Sequence, residues 1–151
     1  MKKTDQRSLI SFPILIIVGI LVALAGSQNG AMFAGITVFA LTVGLAFIIQ
    51  WLVFIPSFLK QTEKYFDLTG SLTYISLTTF AFLVTPGVDL RSTLLFVLVL
   101  TWAIRLGTFL FTRIKKAGKD DRFDEIKPSF IRFLNVWTIQ ALWVTFTAAA
   151  A

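Results

Sequence analysis

The chain has 151 residues, of which 56% are hydrophobic and 15% charged, and its formal net charge is +6. It contains no cysteine and no histidine, which excludes disulfides, thiolate chemistry and the commonest general base and metal ligand, so no metal site is expected. Several apolar stretches reach the ~17–25 residues that cross a ~30 Å hydrocarbon core; the chain therefore reads as an integral membrane protein, and its cations as partners of anionic lipid and determinants of topology rather than of nucleic-acid binding.

A polar, basic start, MKKTDQRS, precedes the first apolar run, residues 9–26, which is interrupted by Pro13. The run ends in ALAGSQ, small residues that also occur at secretory cleavage sites. Because a polytopic chain follows, the run is read as a retained first span. A turn cluster at residues 27–30 leads to a second span, 31–59, with Pro56 expected to kink or end it. On that span Gln50, Phe54, Ser57 and Gln61 recur at i, i+4, i+7 and i+11, one helical face directed at a cavity or at neighbouring helices.

A mixed-charge connector, residues 60–70, precedes the third span, 70–86, which carries a second polar stripe of Ser71, Tyr74 and Thr78. The Pro-Gly turn that follows opens into the fourth span, 92–112. Residues 113–127 read as a basic loop, and Pro128 and Ser129 restart a helix for the fifth span, 129–151. The fold expected is an all-α, polytopic transmembrane bundle of about five spans. Because the sequence stops in TFTAAAA, with no cap or interfacial anchor, it is expected to be the N-terminal part of a longer bundle. Lys2, Lys3 and Arg7 precede span one, Lys60 and Lys64 follow span two, and six cations follow span four, whereas the alternate loops hold only Arg91. This alternation puts the N-terminus and the basic loop in the cytoplasm.

Arg105 lies inside the fourth span, where a guanidinium costs roughly 2.5–3.5 kcal/mol on insertion scales. Either it snorkels to the interface or it answers an anion. Arg113, eight residues on, falls roughly on the same side, and two guanidiniums along one groove can grip a phosphate. In the loop KKAGKDDRFDEIK, Asp121 and Arg122 either hold a ribose or phosphate or pair with each other. Arg132, Asn135 and Gln140 on the fifth span either face the Arg105 groove or hold helices together. Glu63 and Tyr74 are the best proton-donor candidates, the alternative for Glu63 being a surface pair with Lys64. There is no Rossmann or P-loop glycine pattern.

FDLTG at residues 66–70, W-x-x-R-L at 102–106 and the R…G-x-D-x-R-F run at 113–123 together resemble the DUF1295 membrane family. That family is similar to the C-terminal domain of steroid 5-alpha-reductases and, more distantly, to isoprenylcysteine methyltransferases. The resemblance implies that the chain is the N-terminal part of an NADPH-dependent membrane reductase that reduces an enone-type lipid or steroid-like substrate arriving from the bilayer, most of the cofactor contacts falling in a C-terminal half that completes the site. It also implies that Arg105, Arg113 and Arg122, with Asp121 nearby, contact the cofactor phosphates and that Glu63 polarises the substrate. Two other readings stay open: a non-catalytic membrane protein whose basic loop binds anionic lipid or a partner, and a lipid-directed methyltransferase relative.

Overall fold

The computed structural model describes residues 3–149. Among these residues the order is α1 (Lys3–Gly26), β1 (Met32–Phe33), β2 (Ile36–Thr37), α2 (Val38–Leu59), α3 (Phe66–Val84), α4 (Leu90–Ala117) and α5 (Phe130–Ala148), with a 3-10 turn, Asp121–Phe123, before α5. The all-α transmembrane bundle expected from the sequence is the fold observed. Lys2 and the last two residues of the expected fifth span lie outside the described residues.

Four helices, α1 to α4, are long and apolar enough to cross a membrane, and the chain is a multi-pass integral membrane protein. The exposed side chains agree: Ile10, Ile14, Ile17, Leu21 and Leu24 on α1 and Leu94, Leu98 and Phe109 on α4 all point outward. Soluble monomers rarely expose contiguous apolar surface on that scale. α5 falls short on composition because it carries Arg132, Asn135, Gln140 and several threonines. One face of α5 packs against α1, α2 and α3, where Phe133, Trp137, Thr138 and Ala141 are fully buried and Asn135 is buried with them.

Several boundaries differ from expectation: α1 begins at Lys3 and α3 at Phe66, each ahead of its expected span, whereas α2 ends at Leu59 as expected. The second span starts at Val38 rather than residue 31, because residues 32–37 form a hairpin with Met32 opposite Thr37. Its two-residue loop, Ala34-Gly35, has positive φ at both positions (51° and 81°), the geometry that matches strand twist in tight hairpins. Pro56 does not end α2. The helix runs on to Leu59 and closes with Gln61 at φ 49°, Thr62 N–H donating to the Ser57 carbonyl (2.9 Å) and Gln61 N–H to that of Phe58 (3.1 Å), a Schellman arrangement. α4 continues five residues past its expected end, so Arg113, Lys115 and Lys116 are helical rather than in a loop. Cations in a last turn complement the helix dipole, and Gly118, at φ 81°, stops the helix.

Polar side chains link the helices. Gln50 donates to Thr73 (3.0 Å), the Trp51 indole to Thr138 (3.1 Å), and Asn135 to the Ser8 carbonyl (2.7 Å) and Ser11 hydroxyl (2.9 Å). Asn135 therefore ties α5 to α1 and does not face Arg105. Each such bond is worth ~0.6–2 kcal/mol in a membrane. α3 packs most extensively on α4. The approach is close at Gly107, where an added Cβ would stand 2.8 Å from Cβ of Ser71.

Candidate functional site at the basic end of the bundle

The starts of α1, α3 and α5 and the ends of α2 and α4 gather at one end of the bundle. The turn after α2 folds the chain back beneath the helices, so Glu63 is buried, its side chain only 3% exposed. One carboxylate oxygen accepts the Asp120 N–H (2.8 Å) and the other the Lys127 ammonium (2.6 Å). Lys127 also reaches Asp124 at 3.3 Å. Burial pushes the Glu63 carboxyl up, but the bonds from Lys127 and Asp120 outweigh it and hold the group below the usual carboxylate range. Burial likewise lowers Lys127, and Glu63 more than reverses this, leaving the ammonium above its ordinary value.

The geometry bears on Glu63 in two ways. Its partner is Lys127, not Lys64, and a carboxylate held low is the wrong acid for donating a proton near neutral pH. It is a brace that fixes the segment between α4 and α5. Tyr74, its expected partner, is eight residues into α3, roughly 12 Å along the axis from the helix start. Its hydroxyl hydrogen-bonds Thr147 on α5, and its ring meets Trp102 edge-on at 4.9 Å. The two groups have no partner in common.

The braced segment is plugged by Phe123, which packs on Phe66 (ring centroids 5.1 Å apart) and Phe133 (6.2 Å). On either side of the plug stand two guanidiniums. Arg113, 50% exposed at its side chain, pairs with Asp67 at 3.4 Å. Arg122, 68% exposed, grips Asp120 through Nε (2.9 and 3.0 Å) and Nη2. Asp120 falls below the usual carboxylate range chiefly through the Arg122 bond, with a further contribution from the Arg113 charge. Arg122 is raised chiefly by Asp120, and Asp67 adds to it. The four groups thus share one electrostatic neighbourhood. Asp121 does not pair with Arg122; it is exposed and bonded to Lys119 at 2.8 Å.

Arg105 stands apart. The inward side of α4 is Ala103, Gly107 and Ile114, and Arg105 lies on the exposed side. It makes no ion pair among the described residues, and its eight-residue offset from Arg113 corresponds to roughly 12 Å of helix rise. The expected groove joining Arg105 to Arg113 is not formed, because a helix whose small residues face α3 must turn Arg105 away.

The segment read as a basic loop is nearly charge-matched. Arg113, Lys119, Arg122 and Lys127 each have a carboxylate within 4 Å, leaving Lys115 and Lys116 without one among the described residues. Sequence reasoning missed Asp67, Asp120 and Lys127. The D-x-R spacing inside G-x-D-x-R-F was the available signal for Asp120; nothing local pointed to Lys127, 64 positions from Glu63. Chemically, the end offers two exposed guanidiniums, each paired with a carboxylate, groups of the kind that bind phosphate.

The model of a family described as Protein of unknown function (DUF1295) matches residues 53–151, which include every residue of this charged assembly. No curated protein and no solved structure matches the chain.

Proposed function

Because the chain belongs to the DUF1295 family, we propose that its basic end faces the cytoplasm and binds the phosphates of NADPH in a membrane-embedded reductase acting on an enone-type lipid. The observation that carries this reading is the pair Arg113 and Arg122, both at least half exposed, each paired with its own carboxylate and sharing one electrostatic neighbourhood. Pre-set guanidinium geometry lowers the ordering cost of gripping a phosphate. When bound, NADPH supplies a hydride for the β-carbon of a double bond conjugated to a ketone, while the α-carbon takes a proton. Arg113 and Arg122 bind the phosphates, and Asp67 and Asp120 orient them. The Glu63–Lys127 brace holds Asp120 and Phe123 beneath the helices. Tyr74 is the remaining candidate proton donor, its hydroxyl buried between α3 and α5.

The test is an NADPH titration of the purified protein in lipid nanodiscs. Removing a charge-assisted bond in Arg122→Ala should weaken binding about 10- to 100-fold, and raised salt should weaken the wild type. Equal affinity in wild type and variant would overturn the assignment. A second, non-catalytic reading rests on Lys115 and Lys116, which lie unpaired in the last turn of α4, where each is worth about 1 kcal/mol against an anionic leaflet. It is favoured if these two variants alter lipid binding and NADPH does not bind.

A further inference from the structure

At the opposite end of the bundle, α2, α3, α4 and α5 enclose a cavity of about 540 Å³, within the ~300–1,000 Å³ typical of small-ligand sites. It is separate from the basic end, and nothing in the NADPH reading uses it. Its walls are apolar, with Leu77, Ala81, Leu95 and Val99 among them. Four threonines also line it; three have their hydroxyl protons committed, Thr42 to the Phe39 carbonyl, Thr78 to that of Tyr74 and Thr145 to that of Ala141, while Thr85, at the end of α3 beside the rim, has no such partner among the described residues. Below the rim the shaft therefore offers no free hydroxyl proton to a polar guest.

The mouth is different. Asp89 and Arg91 both line it and form no ion pair with each other. Asp89 caps α4 through Oδ1, which accepts the Ser92 N–H (2.8 Å) and hydroxyl (2.6 Å); Oδ2 has no hydrogen-bond partner among the described residues. From this rim to Val99 the cavity follows ten residues of α4, roughly 15 Å. That is half of a ~30 Å hydrocarbon core, the depth an acyl chain reaches from one leaflet.

We propose that this cavity holds one acyl chain of a zwitterionic glycerophospholipid bearing a primary ammonium, with the phosphate on Arg91 and the ammonium on Asp89. An anionic headgroup would meet the Asp89 charge. A quaternary ammonium has no N–H to give the free Asp89 oxygen. A primary-ammonium headgroup answers both charges and leaves the dry shaft to hydrocarbon.

The full chain, equilibrated with equimolar phosphatidylethanolamine, phosphatidylcholine and phosphatidylglycerol in mild detergent, would be examined by native mass spectrometry. The wild type should retain phosphatidylethanolamine in preference to the other two. Asp89→Asn preserves the helix cap, since asparagine caps as well as aspartate, and should lower that preference by up to about fivefold, the scale of one exposed ion pair. Leu95→Trp fills the shaft and should expel the lipid with helicity unchanged by circular dichroism. Equal retention of all three lipids by the wild type, or an unaltered preference in Asp89→Asn, would overturn the proposal. Both variants should bind NADPH as the wild type does, which separates this test from that of the basic end.

Discussion

The two ends of this bundle use charge in opposite ways. In the segment between α4 and α5 at the basic end, Arg113, Lys119, Arg122 and Lys127 are each paired with a carboxylate, and the most buried pair, Glu63 and Lys127, fastens two connecting segments that are far apart in sequence. At the other end, Asp89 and Arg91 stand unpaired at the rim of an apolar cavity. The comparison teaches that the density of cations in a sequence does not locate free positive charge. The segment richest in lysine and arginine is the one whose charges are largely satisfied internally, and it gains shape rather than field.

Breaking the brace should have the largest effect. Lys127→Met leaves the Glu63 carboxylate buried without its ammonium, and removing one partner of a buried pair costs ~3–5 kcal/mol. Denaturant unfolding in detergent should register that loss, and a coupling near zero in the Glu63→Gln/Lys127→Met cycle would break the contrast between the ends. The pH dependence has a definite sign. The folded protein holds the Glu63 carboxyl below its ordinary value, so its contribution is present above that ordinary value and is lost as pH falls through the depressed folded one. Lys127 titrates above 10.5 when folded, so its contribution is lost only as pH rises beyond that. Stability curves should therefore lose an acid limb in Glu63→Gln.

Next in size is the α3–α4 contact that carries Asp67 to Arg113. Gly107→Ala sets a Cβ 2.8 Å from Cβ of Ser71, and overpacking of this kind costs ~1–3 kcal/mol. If the contact positions the guanidinium pair, this variant should also weaken NADPH binding; a stability loss with unchanged affinity would uncouple the packing from the site. Asn135→Ala, which releases α1 from α5, should cost ~0.6–2 kcal/mol without altering binding at either end. The smallest change should be a gain. Gln61 holds a left-handed conformation that disfavours side chains by ~1–2 kcal/mol, so Gln61→Gly should raise the unfolding free energy by about 1 kcal/mol.

Much of the helical layout was legible because apolar runs mark helices directly, although the ends of α4 were not, Asp89 and Gly118 capping it outside the apolar run. The hairpin was not, since Ala31 to Thr37 is apolar enough to pass for helix and only Ala34-Gly35 betrays the turn. The motifs that carried the family resemblance were legible as patterns but not as roles. In FDLTG, Phe66 packs on Phe123 and Trp137, Asp67 holds Arg113, and Gly70 admits Gln140, whose amide nitrogen would lie 2.8 Å from an added Cβ. Arg105 misled because an arginine within an apolar helix advertises a cost, whereas its direction depends on which face of α4 meets α3. Glu63 misled because its partner lies 64 positions away.

The most direct test compares NADPH dissociation constants, measured in nanodiscs, for three forms of the protein. The account predicts that the wild type binds, that Arg113→Ala/Arg122→Ala loses at least about 10-fold in affinity, and that Arg105→Ala binds as the wild type does. Loss of binding in Arg105→Ala with affinity retained in the double variant would contradict it.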